Sequence, residues 1–100
     1  MKKYFYNLVM FPYPSSALLH IGHAYIYSAT DVYGRYRKLL GDDVFQPMGF
    51  DSFGIHAENY SLKVGRHPSE VVSENIENFR KQVKSLNTDF ILYIIHFSIL

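Results

Sequence analysis

Met10-Phe11-Pro12-Tyr13-Pro14-Ser15-Ser16-Ala17-Leu18-Leu19-His20-Ile21-Gly22-His23 joins an aromatic run to a long periodic one. On its N-terminal side, Tyr4 to Phe11 is rich in aromatic and β-branched residues and stops at Pro12, which predicts a buried strand. Pro12 and Pro14 remove two backbone donors and hold the chain extended, so the middle reads as a loop. On the C-terminal side, Ile21, Tyr25, Ala29, Val32, Tyr36 and Leu39 are spaced by threes and fours. That spacing is one face of a helix of about five turns. Gly41 ends it, with Arg35, Arg37 and Lys38 in the last turns, where the helix dipole favours cations.

Further along, Asp42-Asp43 make a turn and Val44-Phe45-Gln46 reads as a short strand cut off by Pro47. Gly49 to Gly54 is a glycine-bounded loop around Asp51. Ala57 to Val64 reads as a short helix ended by Gly65, and Pro68-Ser69 starts another. There Ile76, Phe79, Val83 and Leu86 form the clearest amphipathic stripe in the chain. Strand, helix and strand in this order make a βαβ unit with parallel strands and a right-handed crossover. A parallel sheet needs cover on both faces, and a chain of 100 residues holds only part of one.

Composition narrows the function classes. The chain is 48% hydrophobic and 19% charged, which is globular and not disordered. Ten Lys and Arg against nine Asp and Glu give a net charge of +1, which excludes a polybasic nucleic-acid binder. With no cysteine there is neither a disulfide scaffold nor a thiolate zinc site. Charge is absent between Lys3 and Asp31 and again after Asp89, so both ends need a membrane check. Asn7 and the prolines spoil the first run as a signal sequence. The second, Phe90 to Leu100, has eleven residues, against the roughly 20 that a helix needs to span a bilayer.

The chemistry concentrates where the first strand feeds the long helix. In open α/β sheets, ligands bind beyond the carboxyl ends of the strands, at helix N-termini. His20 and His23 stand three apart in a first helical turn and project to the same side, adding donors to the free backbone amides. Gly22 between them leaves room for a flat ring against the backbone. The set suits a nucleoside triphosphate better than a metal, because a bare H-x-x-H without a third ligand makes a poor zinc site. The bland alternative is two histidines that cap a helix and bind nothing. Asp51 follows the second strand, so it reaches the same carboxyl edge and could hold an ammonium group or simply cap a turn.

The run Met10 to Ser15, with Leu19-His20-Ile21-Gly22-His23, resembles the start of the leucyl-tRNA synthetases and contains the HIGH motif of class I aminoacyl-tRNA synthetases. The resemblance continues through Thr30-Asp31-Val32, Gln46-Pro47-Met48-Gly49-Phe50-Asp51-Ser52-Phe53-Gly54, Ala57-Glu58-Asn59-Tyr60, His67-Pro68 and Asn75-Ile76 to Gln82. It implies an α/β fold: the first part of a Rossmann-like nucleotide-binding domain with a parallel, incomplete sheet. It also implies ATP-dependent activation of leucine to leucyl-adenylate and transfer to the leucine tRNA, in the cytoplasm, with no membrane involvement. By the same resemblance His20 and His23 contact the ATP phosphates as catalytic residues, and Gly22 packs against adenine. The Phe11 carbonyl and Asp51 hold the leucine ammonium, while Met10 and Tyr13 wall the amino-acid site. ATP is a substrate accompanied by Mg2+, and no tightly bound cofactor is implied.

Departures from the family set further expectations. Ser16 and Leu18 stand where relatives carry glycine, and His56 where proline is frequent. Residues 1–87 read as the N-terminal half of the catalytic domain. In 88–100, nine of the last eleven residues are apolar and none is charged, unlike the family. That tail reads as a frameshift or truncation, or else as a genuine edge strand. The KMSKS loop is missing, so the chain alone is expected to be inactive and a second chain could carry that half. The alternative functions are a nonenzymatic adenosine- or ATP-binding module, or a piece of another class I synthetase such as the methionyl enzyme.

Overall fold

The computed structural model describes residues 2–52 and 54–92. Seven elements follow in order: β1 (Tyr4–Tyr6), α1 (Ile21–Leu39), β2 (Asp43–Phe45), β3 (Pro47–Met48), α2 (Ile55–Val64), α3 (Pro68–Ser85) and β4 (Ile91–Leu92). β1 and β2 pair in parallel with Tyr4 opposite Asp43 and Tyr6 opposite Phe45, so the expected βαβ unit forms around α1. β3 and β4 also pair in parallel, Pro47 opposite Ile91.

The two pairs share one extended segment, 43–48. The Asp43 N–H donates to the Lys3 carbonyl at 2.9 Å and the Phe45 carbonyl accepts from the Asn7 N–H at 2.9 Å, so these residues bond toward β1. The Gln46 carbonyl accepts from the Ile91 N–H at 2.9 Å, on the other side. Because bonding direction alternates along a strand, β1 and β4 lie on opposite edges of this middle segment. Pro47 therefore does not cut the strand off, contrary to the expectation. It occupies a position that faces the β1 side just past the end of the β1 ladder, where no N–H is needed.

Two other expectations are corrected. The first strand is only Tyr4–Tyr6; the rest of the run to Phe11 carries no regular structure, although the Asn7 N–H still donates to the Phe45 carbonyl. The apolar stripe of α1 faces away from the fold, with Ile21 85%, Tyr25 80% and Leu39 87% exposed. The buried residues of α1 are instead Tyr27, Asp31 and Gly34. At about 100° per residue, the two sets lie on opposite sides of the helix.

The helix ends follow local chemistry. Gly41 and Gly65 take left-handed backbone (φ 93 and 69) where α1 and α2 stop, which a side chain would resist. Asn87, at φ 53, does the same after α3. His67 accepts the Ser69 N–H through Nδ1 and Pro68 occupies the first turn, so α3 starts at the expected residues.

Val9, Tyr27, Met48 and Val83 form one core cluster, joined by Phe11, Leu19, Ile26 and Phe90 at its margin. Phe50, Ile76 and Phe79 form a second, and Leu19 packs against both. The α3 stripe expected from spacing thus faces inward, except for Leu86 at the cap. The apolar run after Asp89 begins inside the fold: Phe90 packs on the core and Ile91–Leu92 form β4. The rest of the expectation for 88–100, from residue 93 on, lies outside the described residues.

A buried polar knot ties these layers together. Asn7 Nδ2 donates to the Thr30 carbonyl at 2.9 Å and to Gln46 Oε1 at 2.6 Å. Gln46 Nε2 donates to Asp31 Oδ1 at 3.1 Å, and the Asp89 N–H donates to the same oxygen at 2.7 Å. Arg35 Nε donates to Asp31 Oδ2 at 2.7 Å. The network joins three groups of α1, at Thr30, Asp31 and Arg35, to residues that flank the strands, Asn7, Gln46 and Asp89.

Candidate active site

His20 is the N-cap of α1, with extended backbone (φ −108, ψ 172). Its Nδ1 accepts the Gly22 N–H at 3.1 Å, and the Nδ1 of His23 accepts the His20 N–H at 3.2 Å. The ring centroids are 3.9 Å apart with the planes tilted by 44°. A ring nitrogen that accepts carries no proton, so this pattern assigns the proton of each neutral imidazole to Nε2. The capping alternative and the ligand-binding one are therefore compatible. The Nδ1 atoms cap the helix, and two Nε2–H donors remain. Burial, and secondly the charge of His20, push the His23 imidazole below its ordinary value of 6.5, which favours that neutral donor form.

Gly22 has a closer neighbour than a ligand. A Cβ there would sit 3.0 Å from His20 Cε1 and Nδ1, so the flat ring against this backbone is the imidazole of His20 itself. The glycine permits the cap; the adenine contact implied by resemblance is a separate matter.

The second loop is tied to the first. The Asp51 N–H donates to the Pro12 carbonyl at 3.0 Å, which joins the segments leaving β1 and β3 at the carboxyl edge of the sheet. The Asp51 side chain is exposed and takes no partner among the described residues. The Phe11 ring lies on Gly49, whose absent Cβ would fall 3.0 Å from ring carbon Cε2. Tyr13 is half exposed beside His56, with ring centroids 6.0 Å apart. Met10 is exposed. The structure thus joins His20 with His23, Pro12 with Asp51, and Tyr13 with His56.

A family model for tRNA synthetases class I (M) matches residues 8–96. The chain belongs to the class I tRNA synthetases. It is 52% identical over 85 residues to a leucine–tRNA ligase of Borrelia duttonii, covering 85% of this chain and 10% of that protein. It is 49% identical over 89 residues to the leucine–tRNA ligase of Chlamydia felis, covering 89% of this chain and 11% of that one. The LeuRS of Agrobacterium radiobacter K84, solved as a ternary complex with tRNA and LeuAMS, superposes with a TM-score of 0.85 at 40% identity, over 89% of this chain and 11% of that one. Methionyl-tRNA synthetase of Mycobacterium tuberculosis, in complex with methionyl-adenylate, gives a TM-score of 0.80 at 26% identity over 94% of this chain and 18% of that one. The chain spans about a tenth of the length of the curated relatives it matches.

In this synthetase chain the loop accommodates Ser16 and Leu18 locally. Ser16 Oγ donates to the Leu18 carbonyl at 2.9 Å, and the Leu18 side chain is exposed. Two residues that reasoning from sequence gave no role hold this loop in place. Asn75 Nδ2 donates to the Pro14 carbonyl at 3.0 Å, and Gln82 Oε1 accepts the Leu19 N–H at 2.8 Å. Their signal was available: two amides seven apart within the apolar stripe of α3, where polar groups need partners. Among the described residues no three His, Asp or Glu side chains gather as a metal site. No described helix is long and apolar enough to cross a membrane.

Proposed function

We propose that this chain carries the first half of a leucine-activating site and works as part of a leucine–tRNA ligase. The observation that carries the reading is the doubly capped histidine pair, which presents two Nε2–H donors at the N-terminus of α1 beyond the end of β1. In this reading ATP lies along that edge. An oxygen of the leucine carboxylate attacks the α-phosphorus, and the bond to the β-phosphate breaks as pyrophosphate leaves with the electron pair. The leucyl group of the adenylate then passes to the terminal adenosine of the leucine tRNA, releasing AMP. His20 and His23 donate to phosphate oxygens as charge develops, which is worth most when the donors are already held in place. Asp51 and the Phe11 carbonyl hold the leucine ammonium, Met10 and Tyr13 bound its side chain, and Gly22 lies under the adenine. Mg2+ would accompany the ATP phosphates and would neutralise part of their charge, with no cluster of His, Asp or Glu among the described residues to hold it separately.

The outward stripe of α1 supports a covering partner, since Ile21, Tyr25, Val32, Tyr36 and Leu39 are all exposed on one side. We assign that cover to the remaining part of the synthetase fold, in the same protein or in a second chain, and place the assembly in the cytoplasm. Leucine-dependent ATP–pyrophosphate exchange tests the reading, with the chain alone and with the KMSKS-bearing remainder of a leucine–tRNA ligase. Exchange is expected only on addition of the remainder, and its loss on His20→Ala. If the two pieces associate and no exchange appears, the reading fails. For 88–100, downstream nucleotide sequence that lacks the synthetase continuation in every other frame would refute the frameshift reading.

A further inference from the structure

We propose that Asn75 and Gln82 are positioning residues of the histidine site, a two-point amide clamp through which α3 sets where α1 begins. Between the end of β1 and His20 the chain runs thirteen residues, 7–19, without regular structure. A segment that long inside a small fold needs anchors, and two of its residues are prolines with no N–H to give. Val9, Phe11 and Leu19 pack on the core, and among the described residues its hydrogen bonds to the rest of the fold beyond Asn7 are those of the Pro12 carbonyl to the Asp51 N–H, the Pro14 carbonyl to Asn75 and the Leu19 N–H to Gln82. The last two come from a single helix.

Geometry makes the pair act as a ruler. Seven residues are two helical turns, so Asn75 and Gln82 lie on one side of α3 about 10 Å apart along its axis. Phe79 and Val83, on the same side, are buried in the two core clusters, which fixes the rotation of α3 about that axis. Asn75 is itself buried, 3% exposed. The loop from Pro14 to Leu19 is thereby held at both ends by one rigid element. Leu19 immediately precedes His20, whose own N–H donates to His23, so the clamp at Leu19 sets the backbone from which both imidazoles hang.

The two amides work with opposite polarity. Gln82 uses its carbonyl oxygen as an acceptor, whereas Asn75 uses its NH2 as a donor. Gln82→Glu retains an acceptor of the same reach, but Asn75→Asp loses the donor. A merely space-filling role would not distinguish the two.

The inference rests on the proposed function only for its consequence on nucleotide binding, so the test reads the clamp separately. It uses the full chain, labelled with nitrogen-15. In Gln82→Ala the Leu19 amide should exchange with solvent about tenfold faster, the ratio matching one lost net hydrogen bond. The imidazole nitrogen shifts of His20 and His23 should move, while the amides of Phe79 and Val83 keep their protection. Gln82→Glu should restore both signals. Asn75→Ala and Asn75→Asp should move the histidine shifts alike. Unchanged Leu19 exchange in Gln82→Ala, or failure of Gln82→Glu to restore it, would overturn the clamp. So would uniform loss of protection throughout α3. Leucine-dependent ATP–pyrophosphate exchange with the added remainder is read independently: its absence from an associated pair removes the nucleotide reading, and the clamp still stands or falls on Leu19 exchange and the histidine shifts.

Discussion

Gly34→Ala sets two effects of opposite sign against each other in the middle of α1. In an exposed helix interior the change would stabilise by about 1 kcal/mol, because glycine pays more backbone entropy than alanine. Here the new Cβ would lie 1.9 Å from Gln46 Oε1 and 2.9 Å from Asn7 Nδ2, where carbon–oxygen contact needs roughly 3.2 Å. Gln46 cannot move without giving up its bonds to Asn7 and Asp31, and all three residues are buried. Two buried hydrogen bonds broken at about 1–3 kcal/mol each outweigh the propensity gain. The expected net effect is a destabilisation of about 3 kcal/mol, read from urea unfolding followed by circular dichroism. The double variant Gly34→Ala/Gln46→Ala isolates the cause, since trimming Gln46 removes the nearest clash. Alanine at 34 should cost far less in that background than in the unaltered chain. An unchanged or raised midpoint for Gly34→Ala, or an equal loss in both backgrounds, would refute the reasoning.

Tyr27 is fully buried and its hydroxyl has no partner among the described residues, so Tyr27→Phe should stabilise the chain by up to about 1 kcal/mol, read as a higher urea midpoint. The same burial pushes its phenol up to about 12; stability should therefore fall as pH rises above 10, where residue 27 ionises in the unfolded chain but not in the folded one, and Tyr27→Phe should flatten that limb. His23 titrates below its ordinary 6.5 in the folded chain, so the unfolded chain binds protons first. Stability present above that value should drop as pH falls through the depressed one, and His23→Gln, which keeps the cap acceptor, should show a shallower pH dependence in urea melts. Asp31→Asn should cost about 2–4 kcal/mol in thermal melts, because its amide must turn a donor toward either Arg35 or the Gln46 and Asp89 N–H groups. A loss below about 0.5 kcal/mol would mean that the knot is not tight.

What local chemistry dictates was readable from the residue order. Gly41 and Gly65 mark where helices stop, Pro68 where one starts, and the strand–helix–strand order forces a parallel pair with the histidines at its carboxyl edge. The class I synthetase assignment was equally legible, since its motifs are contiguous runs such as His20-Ile21-Gly22-His23. Tertiary structure decided what periodicity could not. The apolar spacing of α1 identifies a stripe but not what covers it, and the fold buries the opposite side, where Gly34 and Asp31 fit against Gln46. Burial there follows shape and hydrogen-bond satisfaction among residues distant in sequence, which no window along one helix contains. The same holds for Asn75 and Gln82. Their partners at Pro14 and Leu19 lie 61 and 63 residues away, and only packing of α3 against the loop brings donor and acceptor together.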